Sequence, residues 1–166
     1  VAAAETAANQ PDANDANDAD EPVAPVAPTP EPVAEPVEPP TVEVSSTRLR
    51  SVGNLIENER YDNALQQISN MMSNREAAAK LWPDLYYLRG LAESGKGEHF
   101  KSALSLLRVP VHFPDHELVV PALERAGHEL KADGQIEAAR TVWEKGFEKS
   151  DDMNTKRRLR EAINSL

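Results

Sequence analysis

The composition of the chain changes abruptly near residue 45, and this change restricts folding to the part that follows. Residues 1–45 contain ten acidic residues and no Lys or Arg, and nine of the 13 Pro lie before position 41. All seven Gly and all eight aromatic residues lie after position 50. A segment with so few large apolar side chains cannot bury enough surface to offset its ordering entropy. The sequence therefore predicts a disordered acidic, Pro-rich tail over 1–45 and one folded domain over 46–166.

The proline-rich part of this tail, residues 22–40, predicts an extended spacer. Proline fixes the backbone φ angle and favours the polyproline II conformation. At about 3.1 Å per residue, a segment of this length would span about 60 Å. A second interpretation is a docking ligand, because Pro28 and Pro30 give the spacing that aromatic-lined grooves recognise.

Several classes of function are excluded or disfavoured by composition. The absence of Cys excludes disulfides and Cys-ligated metal sites, and a net charge of −10 disfavours nucleic-acid binding. No apolar run is long enough to span a membrane, so we expect no direct membrane insertion of these residues. Because the sequence begins at Val1 rather than Met, an upstream signal peptide or membrane anchor is one interpretation. The missing Met and the acidic, Pro-rich tail together favour a location in the periplasm or cell envelope. The cytoplasm is the alternative location.

Apolar residues recur with a helical period from Ser46 onward, and three phrases align with one another. They are residues 60–65, 99–104 and 135–140, and each has a large apolar residue three positions before a small Ala. The small residue is Ala64, Ala103 and Ala139 in turn, at spacings of 39 and 36. Helical segments that recur at such a period predict stacked helix pairs.

These phrases resemble the tetratricopeptide repeat (TPR), a helix–turn–helix unit of about 34 residues. Gly127 lies 12 residues before Ala139, whereas Gly90 lies 13 before Ala103, which predicts a one-residue insertion in the turn over 95–98. The resemblance implies an all-α fold with about three helix pairs over 47–150, followed by a capping helix over 154–166. Its expected packing residues are Ala64, Gly90, Ala103, Gly127, Ala139 and Trp143.

Motifs that would indicate catalysis are incomplete. Residues 90–97 approach a phosphate-binding loop, but Gly97 stands where Ser or Thr should follow Lys96. His116 and His128 each precede a Glu, as in zinc proteases, without the second His. His112, Asp115 and His116 suggest a metal site, but a loop over 110–115 in which Asp115 caps the next helix explains them. We therefore expect neither an enzyme nor a metal or other cofactor.

Binding to another protein is the function that the resemblance implies. The carboxylate clamp of some TPR domains is not present, because Leu49, Gly53, Leu88 and Pro121 replace its Lys and Asn positions and only Arg125 agrees. The expected site is instead the concave groove that the first helices line in this family. Its candidate residues are Arg48, Asn54, Tyr86, Arg89 and Arg125.

The sequence thus predicts a protein–protein interaction scaffold of a bacterial cell-envelope assembly, tethered by the spacer and bound to a protein whose identity it does not reveal. The alternative is a structural, self-assembling fragment of a larger envelope protein. Exposed Arg and Tyr side chains at a groove are typical binding anchors.

Overall fold

The folded part of the chain consists of helices throughout the described residues. The structure is a computed structural model that describes residues 41–166, with the backbone alone for residues 41–45, 76 and 77. The helices are α1 Thr41–Glu57, α2 Tyr61–Ser73, α3 Arg75–Ala78, α4 Trp82–Gly95, α5 His99–His112, α6 Val119–Ala132, α7 Ile136–Lys149 and α8 Met153–Asn164. Apart from the four-residue α3, they have 12 to 17 residues. The all-α prediction is confirmed, while residues 1–40 of the predicted tail lie outside the described residues.

The helices pack in the order in which they occur along the chain, as in a repeat. Helix α1 packs on α2, α4 packs on both α2 and α5, and α6 packs on α5 and α7. Helix α8 then packs on α7 and buries Leu159 completely. Its start is defined locally, because the Asp152 carboxylate accepts a hydrogen bond from the backbone N–H of Thr155 at 2.8 Å. Three pairs, α1–α2, α4–α5 and α6–α7, are thus followed by a final helix.

A common register relates the three pairs. Helices α6 and α7 begin 37 residues after α4 and α5, and each of the four has 14 residues. Helix α2 begins 38 residues before α5. The turn inside each pair contains one residue in the left-handed conformation, namely Glu59 (φ 58°), Gly97 (φ 74°) and Gly134 (φ 82°). Glycine adopts this conformation without steric cost, which explains the two glycines, and Gly97 lies in the turn predicted over 95–98.

Glycine also allows the two helices of a pair to approach closely. A Cβ atom on Gly90 would lie 2.5 Å from Leu106 Cγ, and one on Gly127 would overlap the indole ring of Trp143. Both large side chains are fully buried. The corresponding residues of the first pair are Val52 and Ile68, which belong to one core cluster. The first pair therefore has no glycine at this position.

The structure corrects the predicted register at Ala103. Ser102, rather than Ala103, lies beside Gly90 and 12 residues after it, so the interval equals that between Gly127 and Ala139. Ser102 is fully buried, and its hydroxyl donates a 2.8 Å hydrogen bond to the carbonyl oxygen of Gly90. A polar residue fits there because its hydroxyl is satisfied. Ala103 is also fully buried but belongs to the cluster around Trp143, and the turn contains no insertion.

The predicted loop over 110–115 is also wrong in part. Helix α5 continues through Pro110 to His112, and α6 begins only at Val119, with no side-chain cap. Asp115 therefore does not cap α6. Pro110 has no N–H to donate to the carbonyl oxygen of Leu106, so the last turn of α5 continues with one helical hydrogen bond fewer.

Candidate partner-binding face

The first helices of the second and third pairs, α4 and α6, form a shallow cavity of about 280 Å³. We call its lining the α4–α6 face: Tyr87, Pro121, Glu124, Arg125 and His128. Tyr87 and Glu124 are 37 residues apart, so they occupy the same position in successive pairs. Tyr87 and Glu124 are half-buried, whereas the other three residues are exposed.

Glu124, in the middle of this face, is held by two other helices. Its carboxylate accepts hydrogen bonds of 2.8 and 2.9 Å from two guanidinium nitrogens of Arg158 on α8. Its backbone carbonyl accepts a 3.0 Å hydrogen bond from Trp143 Nε1 on α7. Bidentate pairs of this kind fix orientation as well as charge. Glu124 is therefore part of the support of the face, and its charge is already neutralised.

Arg125 connects the face to the preceding pair. Its Nε donates to Glu129 at 3.0 Å, and a terminal nitrogen donates to the Ser94 hydroxyl at 2.8 Å. The Glu129 carboxylate is buried, and it also accepts from Ser94 at 2.7 Å and lies 2.8 Å from His99 Nδ1. The Arg125 side chain nevertheless remains 46% exposed. It can therefore contact a partner while these hydrogen bonds position it.

The two ring side chains of the face are uncharged near neutral pH. Burial lowers the pKa of His128 below its usual 6.5, an effect that Glu124 opposes and Arg125 reinforces. Burial also favours the neutral form of Tyr87, because it raises the pKa of the phenol above its usual 10.0. The His128 ring packs edge-on against Trp143, with 5.0 Å between ring centroids. The face thus offers two neutral rings that can donate and accept hydrogen bonds, beside one arginine.

The structure does not bring the five predicted binding residues together. Arg125 lies on the α4–α6 face, but Arg48 lines a separate groove of about 320 Å³ beside the C-terminal part of α2. Asn54 is exposed on α1, where its carbonyl accepts a 2.6 Å hydrogen bond from the Asn58 side chain. The groove at Arg48 adjoins α3, in which the side chains of residues 76 and 77 are not described.

Tyr86 and Arg89 have internal partners instead. The Tyr86 ring packs between Trp82 and Phe113 at centroid distances of 5.4 and 6.4 Å, with the guanidinium carbon of Arg108 5.3 Å from its centroid. Arg89 donates a 2.9 Å hydrogen bond to the buried Glu93.

Arg89 lines a further cavity, of about 450 Å³, between α2, α4 and α5. The other cations there are also paired: Lys96 with Asp62 at 2.6 Å and Lys101 with Glu98 at 3.2 Å. Each of these cations has an acidic partner, so its positive charge is already compensated. The cavity therefore attracts an anionic ligand less strongly than three unpaired cations would.

Five residues of the site were not among the predicted binding residues: Tyr87, Pro121, Glu124, His128 and Arg158. The 37-residue register is the signal that would have found two of them, because it relates Tyr87 to Glu124. No such signal exists for Arg158, whose role depends on the packing of α8. Arg125 was predicted because it lies on the first helix of a pair, at the one position that agrees with the carboxylate clamp of TPR domains.

Within residues 41–166 as described, no group of three or more His, Asp or Glu side chains is placed to hold a metal ion. Among the same helices, none is long and apolar enough to cross a membrane. The chain matches no protein-family model, no curated protein and no solved structure.

Proposed function

We propose that this chain is a protein–protein interaction scaffold that binds an extended segment of a partner protein on the α4–α6 face. The observation that carries the proposal is the arrangement of the exposed Arg125 and His128 and the half-buried Tyr87 around one cavity formed by the first helices of two pairs. Aromatic and arginine side chains are the usual anchors of protein interfaces. Binding requires no chemical step, and we propose that the protein is not an enzyme.

The rigidity of the face supports this proposal. Glu124 is fixed by Arg158 and Trp143, and Arg125 is fixed by Glu129 and Ser94. A surface whose side chains are already oriented loses less entropy when a partner binds. The neutral His128 and Tyr87 rings suit a segment with exposed backbone donors and acceptors, such as an extended peptide.

The repeat-like stacking is consistent with the resemblance to TPR domains, although the observed period of 37 to 38 residues exceeds the family's usual length. We propose membership of this class of helical repeats and a groove lined by first helices. The acidic, proline-rich sequence before residue 41 supports a tethering role. A periplasmic or cell-envelope location is part of the same proposal, with self-assembly within a larger envelope structure as its alternative.

Selection of peptides on the full chain tests the binding proposal. A phage-displayed library of linear peptides is selected on the immobilised protein, and the affinity of enriched peptides is measured by fluorescence anisotropy. We expect Tyr87→Ala and His128→Ala each to weaken binding by about tenfold, as removal of an interface anchor typically does. Lys145→Ala is the matched control, because this exposed residue lies on α7, outside the face.

Enriched peptides whose affinity is unchanged in both Tyr87→Ala and His128→Ala would contradict the proposed site. Circular dichroism melting of each variant separates a lost contact from a lost fold. Sedimentation equilibrium distinguishes the self-assembling alternative, which requires an oligomer at micromolar concentration. Protease accessibility in intact cells and spheroplasts tests the location, because a cytoplasmic chain stays protected in both.

A further inference from the structure

The outer surface of α5 carries an exposed apolar stripe. Phe100, Leu104 and Val111 are 45%, 49% and 70% exposed, and Leu107 is half-buried between them. The opposite side of the same helix faces the core, where Ser102, Ala103, Ser105, Leu106 and Val109 are buried. We call Phe100, Leu104, Leu107 and Val111 the α5 stripe. Exposed apolar side chains that lie contiguously on one surface are typical of interaction sites.

The other second helices show that this stripe is not required by the fold. The 38- and 37-residue registers relate each stripe position to one residue of α2 and one of α7, and all eight of these residues are exposed and polar. On α2 they are Asp62, Gln66, Ser69 and Ser73, and on α7 they are Glu137, Thr141, Glu144 and Glu148. The fold therefore accepts polar side chains here, and the apolar ones need another explanation.

The spacing of the stripe indicates the shape of its partner. Its members follow one another at intervals of four, three and four residues, which is the seam of a coiled coil. From Phe100 to Val111 the seam is about 17 Å long at 1.5 Å per residue. Its four residues are the number of seam positions that two heptads supply. Such a seam accepts the apolar side of a second α-helix by knobs-into-holes packing.

The charges beside the stripe are basic. Lys101 and Arg108 each follow a stripe residue and occupy the flanking heptad position that contacts a partner helix. Lys101 is 67% exposed and has Glu98 at 3.2 Å, whereas Arg108 forms no ion pair with any residue of the described helices and turns. The flank therefore favours a partner helix that carries acidic residues beside its apolar side.

We infer that the α5 stripe is a second docking surface, which binds an amphipathic helix of another protein with Glu or Asp beside its apolar seam. A second copy of this chain is disfavoured, because antiparallel pairing of two α5 helices brings Lys101 near Arg108 of the other copy. Parallel pairing supplies no acidic flank either, since the facing positions are Ala103 and Pro110. The α5 stripe shares no residue with the α4–α6 face, and the inference does not rest on the proposed function.

Two synthetic helices serve as probes in the test. Each has three heptads with Leu at the seam positions, one with Glu and the other with Lys at both flanking positions, so that each repels itself. Anisotropy is measured with the full chain. We expect the Glu peptide to bind at least about tenfold more tightly than the Lys peptide, a factor reached with about 1.4 kcal/mol. Leu104→Glu should weaken binding of the Glu peptide by a similar factor.

Matched variants separate this surface from general stickiness. Thr141→Glu, at the corresponding position of α7, should leave the affinity unchanged. Arg108→Glu should reverse the preference between the two peptides. Circular dichroism verifies that Leu104→Glu folds, and Val111→Glu replaces it if it does not, since Val111 is the most exposed member.

Three results would overturn the inference. One is the absence of saturable binding of the Glu peptide at concentrations up to about 1 mM. Equal affinity for both peptides would remove the role of charge. A wild-type dimer in sedimentation equilibrium that Leu104→Glu dissociates would assign the stripe to a second copy instead.

Discussion

The second and third helix pairs share their geometry and differ in what they present to solvent. Helices α4 and α5 correspond to α6 and α7 residue by residue at an interval of 37. On the inside, both pairs place a glycine against a large buried side chain, Leu106 in one and Trp143 in the other. On the outside, α5 carries the apolar stripe, whereas α7 carries glutamates and a threonine. Close packing constrains the inner positions, while the outer ones are free to diverge.

The buried contacts also differ in rigidity between these pairs. Leu106 is a flexible aliphatic side chain, but Trp143 is a bulky ring fixed by its hydrogen bond to the Glu124 carbonyl. A large rigid group cannot move aside when its neighbour grows. The third pair should therefore tolerate change at its glycine less well than the second.

The largest effect is expected for Gly127→Leu. The new side chain would occupy the volume of the Trp143 indole, so we expect a loss of about 3 kcal/mol or more in the free energy of unfolding. Urea denaturation followed by circular dichroism measures it. Gly53→Ala is the control, because nothing lies within 4 Å of a Cβ at that position. A Gly127→Leu protein that unfolds like the parent would refute the register of the third pair.

The next effect compares Gly90→Ala with Gly127→Ala. We expect the second substitution to cost about 1 kcal/mol more, within the usual 1 to 3 kcal/mol for overpacking, because Leu106 can rotate and Trp143 cannot. Midpoints of urea denaturation of the two variants give the difference. If Gly90→Ala is the more destabilising of the two, the contrast in rigidity is wrong.

Glu129→Ala should lower the free energy of unfolding by about 2 kcal/mol. It removes a buried carboxylate that accepts hydrogen bonds from Ser94 on the second pair and from Arg125 on the third. Glu144→Ala, at an exposed position of α7, is the control. Equal stability of these two variants would show that the network does not hold the two pairs together.

The smallest folding effect is expected at Ser102. Ser102→Ala removes the hydrogen bond to the Gly90 carbonyl and keeps the small side chain, so we expect a loss of about 1 kcal/mol. Ser102→Leu should be far more destabilising, since no space remains at a fully buried position beside Gly90. If Ser102→Leu unfolds like the parent, Ser102 is not the counterpart of Ala139.

A pH dependence should be visible at His128. Because burial lowers its folded-state pKa below 6.5, the unfolded chain binds this proton more readily than the folded protein. The free energy of unfolding that depends on His128 is therefore highest above pH 6.5, and it decreases as the pH falls from 6.5 toward the folded-state pKa. When the pH is lowered below 6.5, we therefore expect the free energy of unfolding to decrease less in His128→Gln than in the parent. Denaturant midpoints across that interval measure it, and parallel curves would contradict the burial effect.

The sequence predicted the helical class and much of the inner packing because both follow from residue size and periodicity. Gly90, Gly127 and Trp143 were recognisable, since a small residue at a fixed distance from a large one has few other uses. Ser102 was missed because alanine is the usual small residue of such repeats, and Ala103 lies next to it. The hydroxyl of Ser102 fits only through Gly90, a contact between two helices that spacing does not show.

The candidate site was harder to predict for a geometric reason. Adjacent residues on a helix point about 100° apart, so the choice of Tyr86 or Tyr87 depends on knowing the register to a single residue. The sequence favoured Tyr86, which packs against Phe113 and Trp82, whereas Tyr87 lies on the α4–α6 face. Arg158 was out of reach, because its pairing with Glu124 links helices 34 residues apart.

The bond between Arg158 and Glu124 has a consequence for how the chain can be shortened. The α4–α6 face contains no residue after His128, so a truncation before Met153 would appear to leave it intact. Such a truncation would nevertheless remove the guanidinium that orients Glu124, and would uncover the surface that Leu159 buries. The smallest unit that keeps this face in its observed arrangement therefore includes α8.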